Sequence, residues 1–218
     1  MAGVITALKW QKKRKRRVNV YLDGEFAFGL AESLAASLQV GQRLDELEVA
    51  ELQAQDEGEQ AYQRGLRLIS RRPRSEGELR RYFDRREISA AAQERAIDRL
   101  KDRGLVDDRA FARAWIENRN AFRPRGALAL RAELKRKGVA SSVIIEALDD
   151  FDEGAAARTA AQKRISRWVD LSEADFRRRM GGYLRRRGFP FAIVREVVRE
   201  TWGEIVRETR EGEREGDV

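Results

Sequence analysis

The chain of 218 residues contains no cysteine and no histidine. The first absence excludes a disulfide framework and thiolate chemistry. The second removes imidazole acid–base catalysis, catalytic triads and, together with the first, zinc sites built on Cys or His. Proline occurs only 3 times, which leaves room for long uninterrupted helices. No apolar run approaches the roughly 18 residues of a membrane helix, and the N-terminus lacks the apolar core of a signal peptide. The expectation is a cytosolic chain with no membrane association. There is no G-x-x-x-x-G-K-[ST] loop, and Gly181-Gly182 does not belong to a G-x-G-x-x-G pattern. Only carboxylate–metal chemistry stays open to an enzyme, so the chain reads as a non-enzyme with no cofactor.

Charge is what the chain has in abundance. Charged residues make up 38% and apolar residues 42%, enough for a core beneath solvent-washed helices. A net charge of +8 suits a polyanionic partner. The plainer alternative is a basic surface that serves solubility.

The first thirty residues differ from the rest. Val4–Trp10 and Arg17–Leu22 are short and β-prone, and Val18, Val20 and Leu22 alternate with other residues. Asp23-Gly24 then precedes "EFAFGL". This pattern predicts a hairpin, because a type I′ turn needs positive φ at both central positions. A small β element of three strands follows, with Lys12–Arg17 between the first two. Glu32–Leu38 reads as a short helix and 40–44 as a connector or short strand. Asp45 can cap a long helix reaching about Ser70.

A repeat of about fifty residues occupies the remainder. Leu79, Leu130 and Met180 are equivalent, as are Phe83, Leu134 and Leu184. Ile88, Val139 and Phe189 match, and Ala96-Ile97, Ala147-Leu148 and Val197-Val198 follow at equal offsets. Each unit has room for three helices. The predicted fold is mainly α: tandem three-helix repeats with a small N-terminal β-hairpin or sheet. The expected organisation is a β-containing extension at 1–45, repeats at 46–106, 107–152 and 153–207, and a disordered tail at 208–218.

Local signals agree with the repeat. Ser75 with Glu78 forms a capping-box pattern, and Ser172 with Asp175 a weaker one. Gly138 and Gly188 suit a left-handed position ending the middle helix, whereas Glu87 fits that place less well. Asp107-Asp108 and Asp149–Asp152 read as caps and helix junctions rather than metal sites. Gly181-Gly182 permits close helix approach or weakens the helix locally. Trp10, Trp115, Trp168 and Trp202 are expected as core anchors.

The candidate binding residues are basic. Arg85-Arg86, Arg136-Lys137 and Arg186-Arg187 recur at the last turn of each middle helix. One cation there would satisfy the helix dipole, worth about 0.3–1 kcal/mol. The surplus at Arg80, Arg81, Arg131, Lys135, Arg177, Arg178, Arg179 and Arg185 self-repels and calls for a counter-surface. Two Arg-Pro-Arg corners join the set, through Arg71, Arg72 and Arg74 and through Arg123 and Arg125. So does the run Lys12, Lys13, Arg14, Lys15, Arg16 and Arg17, read equally as a contact loop or a solvated stretch.

"RPRSEGELRRYF", "AIDRLKDRGLVDDRAFARAWIENR", "ALRAELKRKGV" and "YLRRRGFPFAIVREVV" closely resemble the RecX family of bacterial recombination regulators. The resemblance covers about Ala61 to Trp202, and "VNVYLDGEFAFGL" is similar to an extension found in some members. It implies an elongated, curved string of three-helix repeats. It also implies a partner: the RecA recombinase filament on single-stranded DNA, in whose groove such proteins lodge. Restrained filament growth, strand exchange, ATP hydrolysis and co-protease activity in the SOS response are implied with it. A monomer is expected, with duplex DNA as a further partner. The third repeat departs from the pattern, since Ser172-Glu173-Ala174-Asp175 replaces Arg-Pro-Arg. The alternative reading is a free-standing DNA-binding protein with helix-turn-helix-like units.

Overall fold

The structure is a computed structural model that describes residues 2–11 and 16–215, with side chains to Thr209. Lys12, Lys13, Arg14 and Lys15 of the basic run lie outside the described residues. The chain divides into two compact units, Met1–Asp107 and Asp108–Val218.

The first unit opens with strands β1 (Gly3–Trp10), β2 (Arg17–Leu22), β3 (Glu25–Ala31) and β4 (Arg43–Leu44), all antiparallel, in the order β3-β2-β1-β4. Asp23 (φ 50°) and Gly24 (φ 93°) both adopt positive φ, as a type I′ hairpin requires. The fourth strand takes the short-strand alternative of the two read at 40–44: residues 43–44 pair with Gly3 and Val4 at the edge of β1. Helix α1 (Glu32–Ala35) is shorter than the predicted Glu32–Leu38. Ile5, Val20 and Leu30 are completely buried beneath the sheet. Trp10 is not a core anchor; it stands 62% exposed at the end of β1.

Helix α2 (Glu46–Ile69) begins at a complete capping box. Asp45 accepts from Glu48 N–H at 2.8 Å, and Glu48 accepts from Asp45 N–H at 2.8 Å. The helix serves two cores, contributing Val49 beneath the sheet and Ala61 and Tyr62 to the helical core. Helices α3 (Glu76–Asp84) and α4 (Ala90–Asp102) complete that second core around Leu79, Phe83, Ile97 and Leu100.

The second unit comprises α5 (Asp108–Phe122), α6 (Ala127–Lys137), α7 (Ser141–Ala147), α8 (Glu153–Ile165), α9 (Glu173–Arg186) and α10 (Phe191–Glu215). Leu130, Leu134 and Ile144 centre one core; Phe176, Met180, Leu184 and Val197 centre the next. Trp115 packs on the former, and Trp168 and Trp202 on the latter. The tail expected from 208 is helical as far as Glu215. Extending an existing helix adds a hydrogen bond for each residue ordered, and Glu and Arg are good helix formers.

The repeat read from spacing is a repeat in space. Leu79, Leu130 and Met180 are buried at equivalent places, and so are Phe83, Leu134 and Leu184. Each middle helix ends at a left-handed residue: Glu87 (φ 54°), Gly138 (φ 85°) and Gly188 (φ 86°). Asp152 caps α8, accepting from Ala155 N–H at 2.8 Å, and α5 begins directly after Asp107.

Candidate functional site

The first arginine corner links α2 to α3. Ser75 Oγ accepts from Glu78 N–H at 3.2 Å and starts α3. The Glu78 carboxylate receives both terminal nitrogens of Arg72, each at 2.9 Å, and Arg72 Nη1 also donates to the Pro73 carbonyl at 2.9 Å. This fork raises the Arg72 pKa above its ordinary value, burial opposing the effect. Arg74 shifts the other way, through partial burial and the neighbouring charge of Arg72; its Nε is buried with no hydrogen-bond partner. Arg71 is exposed.

Along α3, Arg80 is clamped. It reaches Glu94 at 2.7 and 3.0 Å and Glu76 at 2.8 Å, and the Glu94 bonds lead in raising its pKa. Arg85 and Arg86 are exposed at the C-terminus, with Arg86 stacked over the Tyr82 ring at 3.8 Å. Arg81 is exposed on the same helix. On β2, Arg17, the last residue of the run read equally as a contact loop or a solvated stretch, forms an internal ion pair. Its guanidinium meets Asp56, only 4% exposed, at 2.8 and 3.1 Å. Asp56 also accepts from Ala31 N–H at 2.6 Å and from Gln60 at 2.7 Å, tying sheet to helix.

The second corner is built from two repeats. Pro124 is buried, and its carbonyl accepts from Arg187 Nη1 at 2.8 Å. Gly126 N–H donates back to the Arg187 carbonyl at 2.9 Å, and Ala127 N–H donates to Glu153 at 2.7 Å. Arg187 is half-buried. Desolvation leads in lowering its pKa, and the charges of Arg125, Arg164 and Arg123 add to this against the opposing influence of Tyr183. Four guanidiniums thus share one joint. Arg187 lies 4.7 Å and Arg164 5.3 Å from the Tyr183 ring centroid.

One buried acid partly balances the joint. Glu133, 6% exposed on α6, accepts from Trp115 Nε1 at 2.8 Å, Arg119 Nε at 2.8 Å and Arg125 Nε at 3.0 Å. Burial pushes its carboxyl pKa up. The bonds from Arg119 and Trp115, with the charges of Arg119 and Arg125, outweigh this and hold it below the ordinary value. Arg123 is exposed, with no ion pair or hydrogen bond from its guanidinium to another described residue.

The remaining predicted cations separate by helix. On α6, Arg131, Lys135 and Arg136 are exposed, and Lys137 lies 4.7 Å from the Trp115 ring centroid. On α9, Arg177 pairs with Glu173 at 2.5 Å and Arg178 with Asp175 at 2.5 Å. Arg179, Arg185 and Arg186 are exposed. The predicted set therefore contains internally clamped arginines (Arg17, Arg72, Arg80 and Arg125) and outward ones, and the fold brings Arg123, Arg125 and Arg187 together.

Glu133, Arg164 and Gly126 were not singled out from sequence. Glu133 carried a usable signal: it falls three residues after Leu130, on the same helical face. Arg164 belongs to no recurring pattern.

The fold defines a tandem three-helix repeat protein with a small N-terminal sheet. Family models match in chain order: the RecX N-terminal domain over 3–45, and the first, second and third RecX three-helix domains over 61–100, 107–148 and 152–198. The chain belongs to the RecX family of regulatory proteins. It is 30% identical to the RecX regulatory protein of Bacillus licheniformis over 202 residues, 90% of this chain and 77% of that one. It is 36% identical to that of Mycobacterium sp. strain KMS over 148 residues, 64% of this chain and 80% of that one. A crystal structure of a regulatory protein RecX superposes with a TM-score of 0.71 at 28% identity, covering 90% of this chain and 98% of the other. A RecX structure from Lactobacillus salivarius shares the fold, with a TM-score of 0.60 at 19% identity over 67% of this chain and 97% of that one.

Proposed function

We propose that this chain is a non-enzymatic regulator of the RecA recombinase filament on single-stranded DNA. It occupies the filament and restrains growth, ATP hydrolysis, strand exchange and co-protease activity. The observation that carries this reading is the joint of Arg123, Arg125, Arg164 and Arg187, where Glu133 is the buried counter-charge to Arg125. Like charges held together by the fold repel one another, and an acidic protein face or a phosphate relieves that repulsion. The outward cations at the ends of α3, α6 and α9 supply further weak contacts. Linked contacts of this kind combine through effective concentration, so binding depends on several being made at once.

The test is RecA ATPase activity on single-stranded DNA with this protein titrated in, read beside filament length. Slowed turnover and shortened filaments are expected. Unchanged turnover and length at saturating protein count against the proposal. Tight binding to bare duplex, with log affinity falling by about 0.9 per neutralised phosphate as log salt rises, points instead to a free-standing DNA binder.

A further inference from the structure

A cleft of about 1150 Å³ opens in the first unit. Residues at the end of β3 and in α1 line one side, and α2 lines the other, with Arg99 of α4 contributing. Gln60, Gln63, Arg64 and Arg67 all face it from α2. Their i, i+3, i+4, i+7 spacing makes them one continuous polar stripe.

The cations of the cleft fall into two kinds. Arg17 is neutralised by Asp56, and Arg99 is ion-paired with Glu59. Arg16, Arg64 and Arg67, which also line it, have no ion pair or hydrogen bond from their guanidiniums to another described residue. Glu32 is the one lining acid not occupied by a described arginine. Arg16 also adopts φ 70°, a left-handed conformation that costs a non-glycine residue on the order of 1 kcal/mol. Backbone bonds brace it: Glu32 N–H donates to the Arg16 carbonyl at 3.0 Å, and Gln11 N–H to that of Arg17 at 2.9 Å.

We propose that this cleft binds the phosphodiester backbone of single-stranded nucleic acid, with Arg16, Arg64 and Arg67 contacting phosphates and Gln60, Gln63 and Ser33 along the wall. Three arguments favour this occupant. Planar guanidiniums match phosphate oxygens in pairs, and those with no partner among the described residues give up none of these on binding. Arg16 and Arg17, which line the cleft, are the last two of six consecutive cations in the sequence, so the cleft lies beside a strongly basic stretch of chain. The apolar lining is confined to Ala31 and Ala36, which offers no anchor for the hydrophobic side chain a bound acidic peptide uses. This site is separate from the arginine joint. It shares with the proposed function only the premise of a polyanionic partner.

The experiment is fluorescence anisotropy of a labelled oligo(dT) 20-mer with the full chain between 50 and 200 mM salt, the range in which phosphate contacts show as a slope of roughly 0.7 per phosphate on single strand. Wild type is compared with Arg64→Glu/Arg67→Glu, Arg64→Gln/Arg67→Gln and Arg64→Lys/Arg67→Lys. The Gln pair is expected to weaken binding about tenfold or more and to lower the log–log slope by about 1.4, for two lost phosphates. The Glu pair loses more, and the Lys pair retains most of the affinity. Helicity by circular dichroism is expected to match wild type, and the Gln pair decides the matter if the Glu pair unfolds. Equal affinity and slope for the Gln pair and wild type overturns the proposal. So does equal loss on a duplex of the same length, or competition by poly-glutamate as effective as by unlabelled oligo(dT). A Gln variant that loses the bare strand yet still slows RecA ATPase supports the cleft and leaves the filament reading standing. Full strand binding by a wild-type protein that leaves RecA untouched removes only the filament reading.

Discussion

Arg187 donates to the carbonyl oxygen of Pro124 at 2.8 Å across 63 positions of chain. The return bond from Gly126 N–H to the Arg187 carbonyl makes the contact reciprocal. The C-terminal turn of α9 thereby completes the corner that starts α6, and two repeats share one piece of backbone architecture.

Gly126 is essential to that contact. A Cβ there would stand 2.2 Å from the Gly188 carbonyl oxygen, where backbone must move to make room. Gly126→Ala is expected to cost about 1–3 kcal/mol, as overpacking typically does, read as a lower urea midpoint. Gly181 is the contrast. Its added Cβ would meet only Val194, at an ordinary 3.8 Å, within a helix. Gly181→Ala is expected to raise stability by up to about 1 kcal/mol.

Glu133 gives the second unit an acid sensitivity. Its folded pKa lies below the ordinary 4.5. The stability it contributes is therefore present above about pH 4.5 and is lost as pH falls through the lowered folded value. Glu133→Gln is expected to cost about 1–3 kcal/mol at neutral pH, because Arg119 and Arg125 lose a charged acceptor. The variant also flattens the fall in stability below pH 4.5. Urea unfolding at a series of pH values checks both.

The left-handed residues make a paired test. Glu87 holds the conformation that glycine takes in the other two repeats. Glu87→Gly is expected to stabilise by about 0.5–1 kcal/mol, since glycine tolerates positive φ without steric penalty. Gly138→Ala is expected to destabilise by about 1–2 kcal/mol for the same reason reversed. Thermal melting of the two variants against wild type reads the opposite signs.

Two arginines from equivalent corners should separate folding from binding. Arg72 is forked onto Glu78, whereas Arg123 has no such partner among the described residues. Arg72→Glu is expected to lower stability by about 1 kcal/mol, through lost pairing and repulsion of Glu78. Arg123→Glu leaves stability unchanged or slightly higher, because it relieves crowding around Arg187. It is expected to weaken filament binding, measured by co-sedimentation with RecA on single-stranded DNA.

The repeat, the caps and the hairpin were legible in sequence because each depends on near neighbours. Asp23-Gly24 specifies its turn within two residues, Asp45 and Glu48 cap each other across one helical turn, and Leu79 and Phe83 share a face by helical period. Recurrence of these patterns at equal spacing established the tandem architecture without any long-range contact.

Which arginines face inward was a different matter. Arg17 finds Asp56 across 39 positions and Arg187 finds Pro124 across 63. Trp10 has the composition of a core residue but sits where the sheet leaves its strand end uncovered. The amino-acid sequence alone determined the tandem three-helix repeat, the caps at Asp45 and Ser75, and which helix faces are apolar, because backbone hydrogen bonding and helical period act over a few residues. Only the tertiary structure decided which charges are neutralised and which remain outward. Ion pairs form by distance in space, and packing alone brings remote side chains within a few ångströms of one another.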